Sequence, residues 1–353
     1  MYPLKGKRVL ITGGTGSLGQ VLVRRLLSGE MGQPAKIVVF SRDEAKQHAM
    51  RIAYLHQRAV TDEVIYHNFR ELLEFRIGDV RDFHSVASAL RGTDVVFNAA
   101  ALKQVPTCEY FPFEAVTTNV GGPENIVRAI QEHEMPVEAV IGISTDKACK
   151  PVNVMGMTKA IQERVFIQAN MRCPNTRFVC VRYGNVLASR GSVIPLFHEQ
   201  IRSGGPVTIT TADMTRFLLS LDQAVDTVFA ALSEARRGET YIPRVPSAKV
   251  VDIAAGLIGE RPVETVVTGI RPGEKVHEIL VSEEECHRTV DRGRYYAILP
   301  MLLELRDDEA PAEALDREYS SAHDVMPREQ IDLLLARHRL LLEDAADDAE
   351  LLR

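Results

Sequence analysis

A doubly wound, mostly parallel α/β sheet carrying a smaller α/β substrate-binding lobe is the fold the sequence predicts, on three observations. Apolar runs of strand length recur at residues 8–11, 36–40, 73–77, 95–98, 139–144 and 177–182. Between them lie helix-length segments with apolar residues three and four apart, such as Leu18, Val21, Leu22 and Leu26. The strands carry apolar residues on both faces, the pattern of a sheet covered by helices on both sides.

Bulk composition narrows the function. The 353 residues are 45% hydrophobic and 25% charged with a net charge of −6, an ordinary globular balance. Without a long Lys/Arg run, neither a nucleic-acid nor a membrane partner is expected. Five cysteines with no C-x-x-C pair suggest neither a disulfide framework nor a metal site. No apolar run reaches the ~18 residues of a membrane span, so a cytoplasmic protein is expected.

In chain order, the first strand leads into Thr12-Gly13-Gly14-Thr15-Gly16-Ser17-Leu18-Gly19, which opens a helix. Glycines there let backbone N–H groups approach a pyrophosphate at a helix N-terminus, so Gly13, Thr15, Gly16, Ser17, Leu18 and Gly19 are expected to hold a dinucleotide. At the tip of the second strand, Ser41 and Arg42 suit a 2′-phosphate, which favours NADP over NAD. Asp43 blurs that preference unless it caps the next helix. Residues 58–72 read as a polar surface excursion. After the third strand, Asp79 and Val80 fit an adenine-side contact, with a simple turn aspartate as the alternative. The fourth strand ends in Ala99, Ala100, Ala101, Leu102 and Lys103, small enough at first to let a flat coenzyme lie on the backbone. Asn119 needs a partner if buried, and a structural bond to the active-site strand and a coenzyme contact are both open.

The fifth strand delivers Thr145, Asp146 and Lys147, and the next helix delivers Met155 and Lys159 one turn apart. Five side chains can therefore converge on one volume, where the chemistry is expected. After Arg182 the alternation loosens, and 191–201, 222–236 and 249–258 read as helices. The expected division is 1–185 with 213–240 as the coenzyme domain, 186–212 with 241–305 as the substrate lobe, and 306–353 as a tail. In the tail, Pro327 opens a helix whose apolar face holds Ile331, Leu334, Leu335, Leu341 and Leu342, packed on its own body or on a second subunit.

Taken together the motifs resemble the extended short-chain dehydrogenase/reductases over residues 5–285. Within them the chain is similar to the UDP-N-acetylglucosamine 4,6-dehydratases of the capsular-polysaccharide and flagellin-sugar type. The glycine turn, Phe40-Ser41-Arg42-Asp43-Glu44 and Ala101-Leu102-Lys103-Gln104-Val105-Pro106 carry the resemblance, joined by four more specific segments. Those are Ser144-Thr145-Asp146-Lys147-Ala148, Arg182-Tyr183-Gly184-Asn185-Val186, Arg190-Gly191-Ser192-Val193 and Arg271-Pro272-Gly273-Glu274-Lys275. A lysine four residues after a tyrosine marks that superfamily, and here Met155 stands at the tyrosine position.

The resemblance implies a Rossmann-type sheet and a lyase that oxidises C4 of the sugar, eliminates water across C5 and C6, and reduces C6. Elimination from a 4-keto sugar needs a base at C5 and an acid at the C6 hydroxyl, for which Lys147 and Asp146 are the candidates if the lysine is held neutral. Met155 has no proton to exchange, so Thr145, Asp146 or water would serve the C4 hydroxyl. Lys159 would hold the nicotinamide ribose, with Tyr183 and Lys103 among the coenzyme contacts. Lys103, Asn185, Arg190, Val193, Arg271 and Glu274 would bind the UDP-sugar, the arginines as phosphate clamps; Arg216 remains open between clamp and structure. Inversion at C5 and a homo-oligomer are the further expectations. A UDP-sugar 4-epimerase and a non-catalytic NADP(H)-sensing protein are the alternatives.

Overall fold

The computed structural model describes residues 2–56, 63–187, 192–306 and 313–344. Among them nine strands make one large sheet: β1 (Arg8–Thr12), β2 (Lys36–Ser41), β3 (Leu73–Ile77), β4 (Val95–Asn98), β5 (Ala139–Ile143), β6 (Arg177–Val181), β7 (Thr240–Pro243), β8 (Thr289–Arg292) and β9 (Tyr295–Ile298). Their spatial order is β8-β9-β7-β6-β5-β4-β1-β2-β3. From β7 to β3 the strands run parallel, and β9 and β8 add an antiparallel ribbon at one edge. Strand order reverses between β1 and β4, the switch point where open α/β sheets hold ligands.

Neighbouring residues of one strand enter opposite cores. Ile11, Val39, Phe97 and Ile141 meet the helices Ser17–Leu27 and Leu221–Glu234 on one face. Leu10, Val38, Val96 and Val140 meet Phe83–Leu90, Gly122–Glu132 and Val154–Arg172 on the other. Both faces being covered is why these strands read as unbroken apolar runs.

Residues 58–72 differ from the sequence reading. Glu63–Leu72 is a helix whose Phe69 and Leu72 are buried, with Phe69 stacked on Tyr54 at 5.2 Å. Ile65, Phe69 and Leu72 recur at helical spacing, a signal the reading of this stretch as a polar excursion passed over. Residues 57–62 lie outside the described set.

A second core forms beside the sheet. It joins Val193–Arg202, Val207–Ile209 and Val250–Ile258 to the helix Arg328–Arg337, with a three-stranded sheet of Asn185–Val186, Thr215–Leu219 and Ser247–Lys249 alongside. Two parts of the expected division are corrected. Thr215–Leu219 belongs to the small sheet, whereas β7, β8 and β9, within the expected 241–305 lobe or at its border, extend the large one. The chain crosses between lobes more often than its composition signals. Pro327 caps the C-terminal helix just outside its first turn, and Ile331 and Leu335 are fully buried, so the tail packs on its own body. No described helix is long and apolar enough to cross a membrane.

Candidate active site

The switch point opens into a cleft of about 580 Å³ lined by the carboxyl ends of β1, β2, β4, β5 and the segment after β6. Gly13 begins its floor at φ +66°, and a Cβ there would lie 2.8 Å from the Ala100 backbone. Only glycine lets the tip of β1 approach the 99–100 segment this closely. Gly16 caps the helix Ser17–Leu27 without a side-chain hydrogen bond, so its first N–H groups keep their donors for an anion. Gly13, Thr15, Gly16, Ser17, Leu18 and Gly19 all line the cleft, which fits the pyrophosphate of a dinucleotide.

At the tip of β2, Ser41 and Arg42 also line the cleft, as do Asp79 and Val80 after β3. The Ser41 hydroxyl is already engaged by Thr15 Oγ1 at 3.0 Å and by the Asp43 N–H at 3.2 Å. Asp43 accepts from the Lys46 N–H at 3.0 Å and thus caps the helix Glu44–His56. Arg42 is exposed, with its guanidinium 4.0 Å from Asp79. Burial raises the Asp79 pKa, but hydrogen bonds from Arg81 outweigh it and hold the carboxyl below its ordinary range.

Ala99, Ala100 and Lys103 form the next wall. Asn119, offered as a coenzyme contact, is corrected: it is fully buried and absent from the cleft lining. It sits in a π-helical turn, Thr117–Gly121, and its amide holds both backbone groups of Leu102, accepting at 2.8 Å and donating at 3.0 Å. Its Nδ2 also reaches Thr158 Oγ1 at 3.0 Å, so the side chain fixes the wall from behind.

The five expected catalytic side chains do meet in the cleft. Two close approaches bring them there. Asn153 caps the helix Val154–Arg172 by accepting from the Gly156 N–H at 2.8 Å. A Cβ on Gly156 would lie 2.2 Å from the Lys147 carbonyl oxygen, so glycine sets how near the helix comes to the Thr145–Lys147 turn. Lys159 Nζ donates to the Ile143 carbonyl and to Gln162, and burial lowers its pKa to about 8. Met155 is mostly buried in a small apolar cluster with Cys108 and Ala115. Tyr183 lines the cleft, its hydroxyl pKa pushed up by burial.

Sequence reasoning missed Glu278. Its Oε1 lies 3.0 Å from Lys147 Nζ, which is also 3.1 Å from Asp146 Oδ1. Both carboxylates are almost wholly buried, and Asp146 Oδ2 and Glu278 Oε2 have no hydrogen-bond partner. Burial pushes the Asp146 pKa up; Glu278 reinforces this while Lys147 and Thr145 oppose it. For Lys147, burial favours the neutral amine, yet Asp146 and Glu278 outweigh it and raise the pKa. The expectation of a lysine held neutral is therefore corrected, because a second carboxylate faces it. Glu278 also feels burial, but Lys147 and then Arg216 outweigh it and keep the carboxyl ionised. Arg216 is buried, donates to the carbonyls of Thr215, Lys275 and Val276, and lies 4.0 Å from Glu278, a structural role. Only the apolar stretch Ile279-Leu280-Val281 after Glu278 hinted that this acid is buried.

Of the expected UDP-sugar contacts, Lys103 and Asn185 line the cleft, and Asn185 Oδ1 is buried without a partner. Val193 packs against the second core, and neither Arg271 nor Glu274 lines the cleft. Glu274 instead accepts from Thr210 Oγ1 at 3.3 Å, and the Gly273 carbonyl accepts from Asn153 at 2.7 Å, which ties this loop beside the active-site helix. Arg190 lies outside the described residues.

Known proteins resemble this chain in sequence and fold. A family model described as polysaccharide biosynthesis protein matches residues 9–300. A UDP-glucose 4-epimerase of Rickettsia typhi is 45% identical over 298 residues, covering 83% of this chain and 82% of the relative. The X-ray structure of Pen from Bacillus thuringiensis superposes with a TM-score of 0.84 at 33% identity, covering 96% of this chain and 99% of that one. DesIV, a dTDP-glucose 4,6-dehydratase from Streptomyces venezuelae with NAD bound, shares the fold at 21% identity and a TM-score of 0.63, covering 76% and 86%.

Proposed function

The chain belongs to the polysaccharide biosynthesis protein family, a group of nucleotide-sugar-modifying enzymes by its relatives, and from that premise we propose that it is a UDP-N-acetylglucosamine 4,6-dehydratase. One observation carries this reading: Lys147 Nζ and Asp146 Oδ1 stand 3.1 Å apart in a buried corner of the cleft. Moving one proton from the ammonium to the carboxylate yields a neutral amine and a neutral carboxylic acid. Burial favours that pair because both charges vanish together. Asp146 takes the proton rather than Glu278, since Arg216 adds its charge beside Glu278.

The resulting pair suits elimination. Lys147 removes the C5 proton of the 4-keto sugar as Asp146 gives its proton to the C6 hydroxyl, which leaves as water. Lys147 is then charged and Asp146 ionised; the ammonium returns a proton to C5 as C6 is reduced, and a proton from solvent, matching the one released from the C4 hydroxyl, restores the resting state. Thr145, whose hydroxyl donates to Asp146 Oδ1 at 2.8 Å, is the relay for the C4 hydroxyl proton that Met155 cannot accept. The Gly13–Gly19 turn would hold the pyrophosphate of a nicotinamide dinucleotide and Lys159 its ribose, and the bound coenzyme would supply the two-electron oxidation at C4 and its reversal at C6. Arg42 favours NADP, with NAD the alternative. Asn185 and Lys103 are the substrate contacts this cleft supports best, and inversion at C5 is retained as part of the reading.

A UDP-sugar 4-epimerase is the second reading, favoured by the name of the Rickettsia relative. Epimerisation at C4 needs no acid for a leaving hydroxyl, so it leaves the Asp146–Lys147 pair without a task. Incubation with UDP-N-acetylglucosamine in deuterated water separates the two. A dehydratase gives a product lighter by one water, with deuterium at C5; an unchanged sugar mass, before isotope exchange, rejects the proposal.

A further inference from the structure

Behind the active-site turn lies a second cavity, of about 500 Å³. Ala148 and Cys149 form its near wall, so the turn that presents Asp146 and Lys147 to the cleft separates the two spaces. Its lining carries more cations than carboxylates: Arg164, Arg182, Arg288, Arg306 and Lys150, with His287, against Glu163, Glu284 and Glu285.

Charge pairing accounts for only part of this set. Arg182 is clasped by Glu163 at 2.7 Å and Glu285 at 2.8 Å. Lys150 is answered by Glu318 at 2.9 Å. Arg288 is 6% exposed, donates to the Leu299 carbonyl, and reaches Glu285 only at 3.4 Å, a carboxylate that Arg182 already holds. Arg164 rests on the Met301 sulfur at 2.8 Å, and Arg306 donates to the Pro300 carbonyl at 2.6 Å. Among the described residues, neither has a carboxylate within ion-pair distance.

Glu163 and Glu285 are taken up chiefly by Arg182, so the remaining guanidinium groups around this space repel each other unless a further anion lies between them. The strain registers at Arg288, whose pKa falls to about 10, first through burial and then through Arg164, Arg182 and Arg306 against the opposing charge of Glu285. We propose that this cavity binds a small phosphate-bearing anion, with Arg164, Arg288 and Arg306 as its clamps. Guanidinium forks match phosphate oxygens in pairs, and three planar donor sets suit a dianionic group. The cavity exceeds a bare phosphate, so a phosphate ester with a compact organic body fits the class. This site is separate from the proposed chemistry and stands whichever nucleotide-sugar reaction the cleft performs.

Isothermal titration of the full-length protein with inorganic phosphate, pyrophosphate and glucose 1-phosphate tests it. Wild type is expected to bind at a site that Arg164→Ala/Arg306→Ala weakens at least tenfold, while a separate pyrophosphate site on the Gly13–Gly19 turn stays. Tighter binding of the sugar phosphate than of the inorganic probes identifies an ester as the occupant, and the reverse order identifies free phosphate. Both side chains reach the cavity from partly or fully exposed positions, and the single Arg164→Gln variant is expected to give a smaller loss in the same direction. No binding by any probe, or identical isotherms for wild type and the double variant, overturns the proposal.

Discussion

The ammonium of Lys147 lies 3.0 Å from a carboxylate oxygen of Glu278, a residue 131 positions further along the chain. With Asp146 it makes one lysine answerable to two buried carboxylates, so the protonation of the site belongs to the trio. Glu278→Gln tests this through pH. A lysine whose pKa is raised keeps its proton to higher pH, and removing one carboxylate charge lowers it toward the ordinary value. The alkaline limb of kcat should therefore move to lower pH. A slower enzyme with an unmoved limb would mean that Glu278 serves geometry alone.

Lys147→Ala removes the proposed C5 base. Water loss from UDP-N-acetylglucosamine should fall by roughly 10²–10⁴-fold, the usual worth of a positioned acid or base. Coenzyme affinity, measured by titration, should stay near wild type because the glycine turn is untouched. Near-normal turnover would assign the C5 proton to another group.

Arg42→Ala separates the two coenzymes. With Ser41 occupied by Thr15 and the Asp43 N–H, Arg42 is the cation left at the tip of β2 for a 2′-phosphate. The variant should lose NADP affinity by a larger factor than NAD affinity, since only NADP forfeits a charge-assisted contact. Equal losses would remove the preference for NADP.

Lys159 makes the stability of the ligand-free protein depend on pH. Its pKa is about 8 in the fold and near the ordinary ~10.4 in the unfolded chain. Between those values the unfolded chain still holds a proton that the fold has released, so stability rises as pH climbs through this window. Below pH 8 both states are protonated and the cost of burying the ammonium is fully felt. Denaturant unfolding of Lys159→Met should therefore vary less with pH from 8 to 10 than wild type. Identical slopes would show that this lysine does not titrate in the window.

The parts legible in the sequence are those encoded by neighbours. Gly13, Gly16 and Gly19 announce a phosphate turn because the geometry they permit is local. Thr145, Asp146 and Lys147 were placed because a strand end and the next helix lie close in the chain. Glu278 was not legible, since nothing in its own surroundings names a partner 131 residues away. Asn119 showed the same limit in milder form: its burial could be anticipated, but the π-helical turn that aims it at Leu102 could not. The ribbon β8–β9 escaped because a strand's sheet is decided by tertiary pairing, and short strands carry little pattern of their own.

The fully buried Ile331 and Leu335 complete a core whose other walls come from residues 187–258. During synthesis the large sheet can bury most of its strands while later residues are still being added, but this second core stays open on one side until the helix Arg328–Arg337 has emerged. Its apolar wall is meanwhile a surface for chaperones or for another nascent chain. Ribosomes stalled shortly before residue 328 should therefore display a coenzyme-competent sheet beside a protease-sensitive lobe, and a premature stop there would yield an aggregation-prone protein despite leaving every proposed catalytic side chain in place.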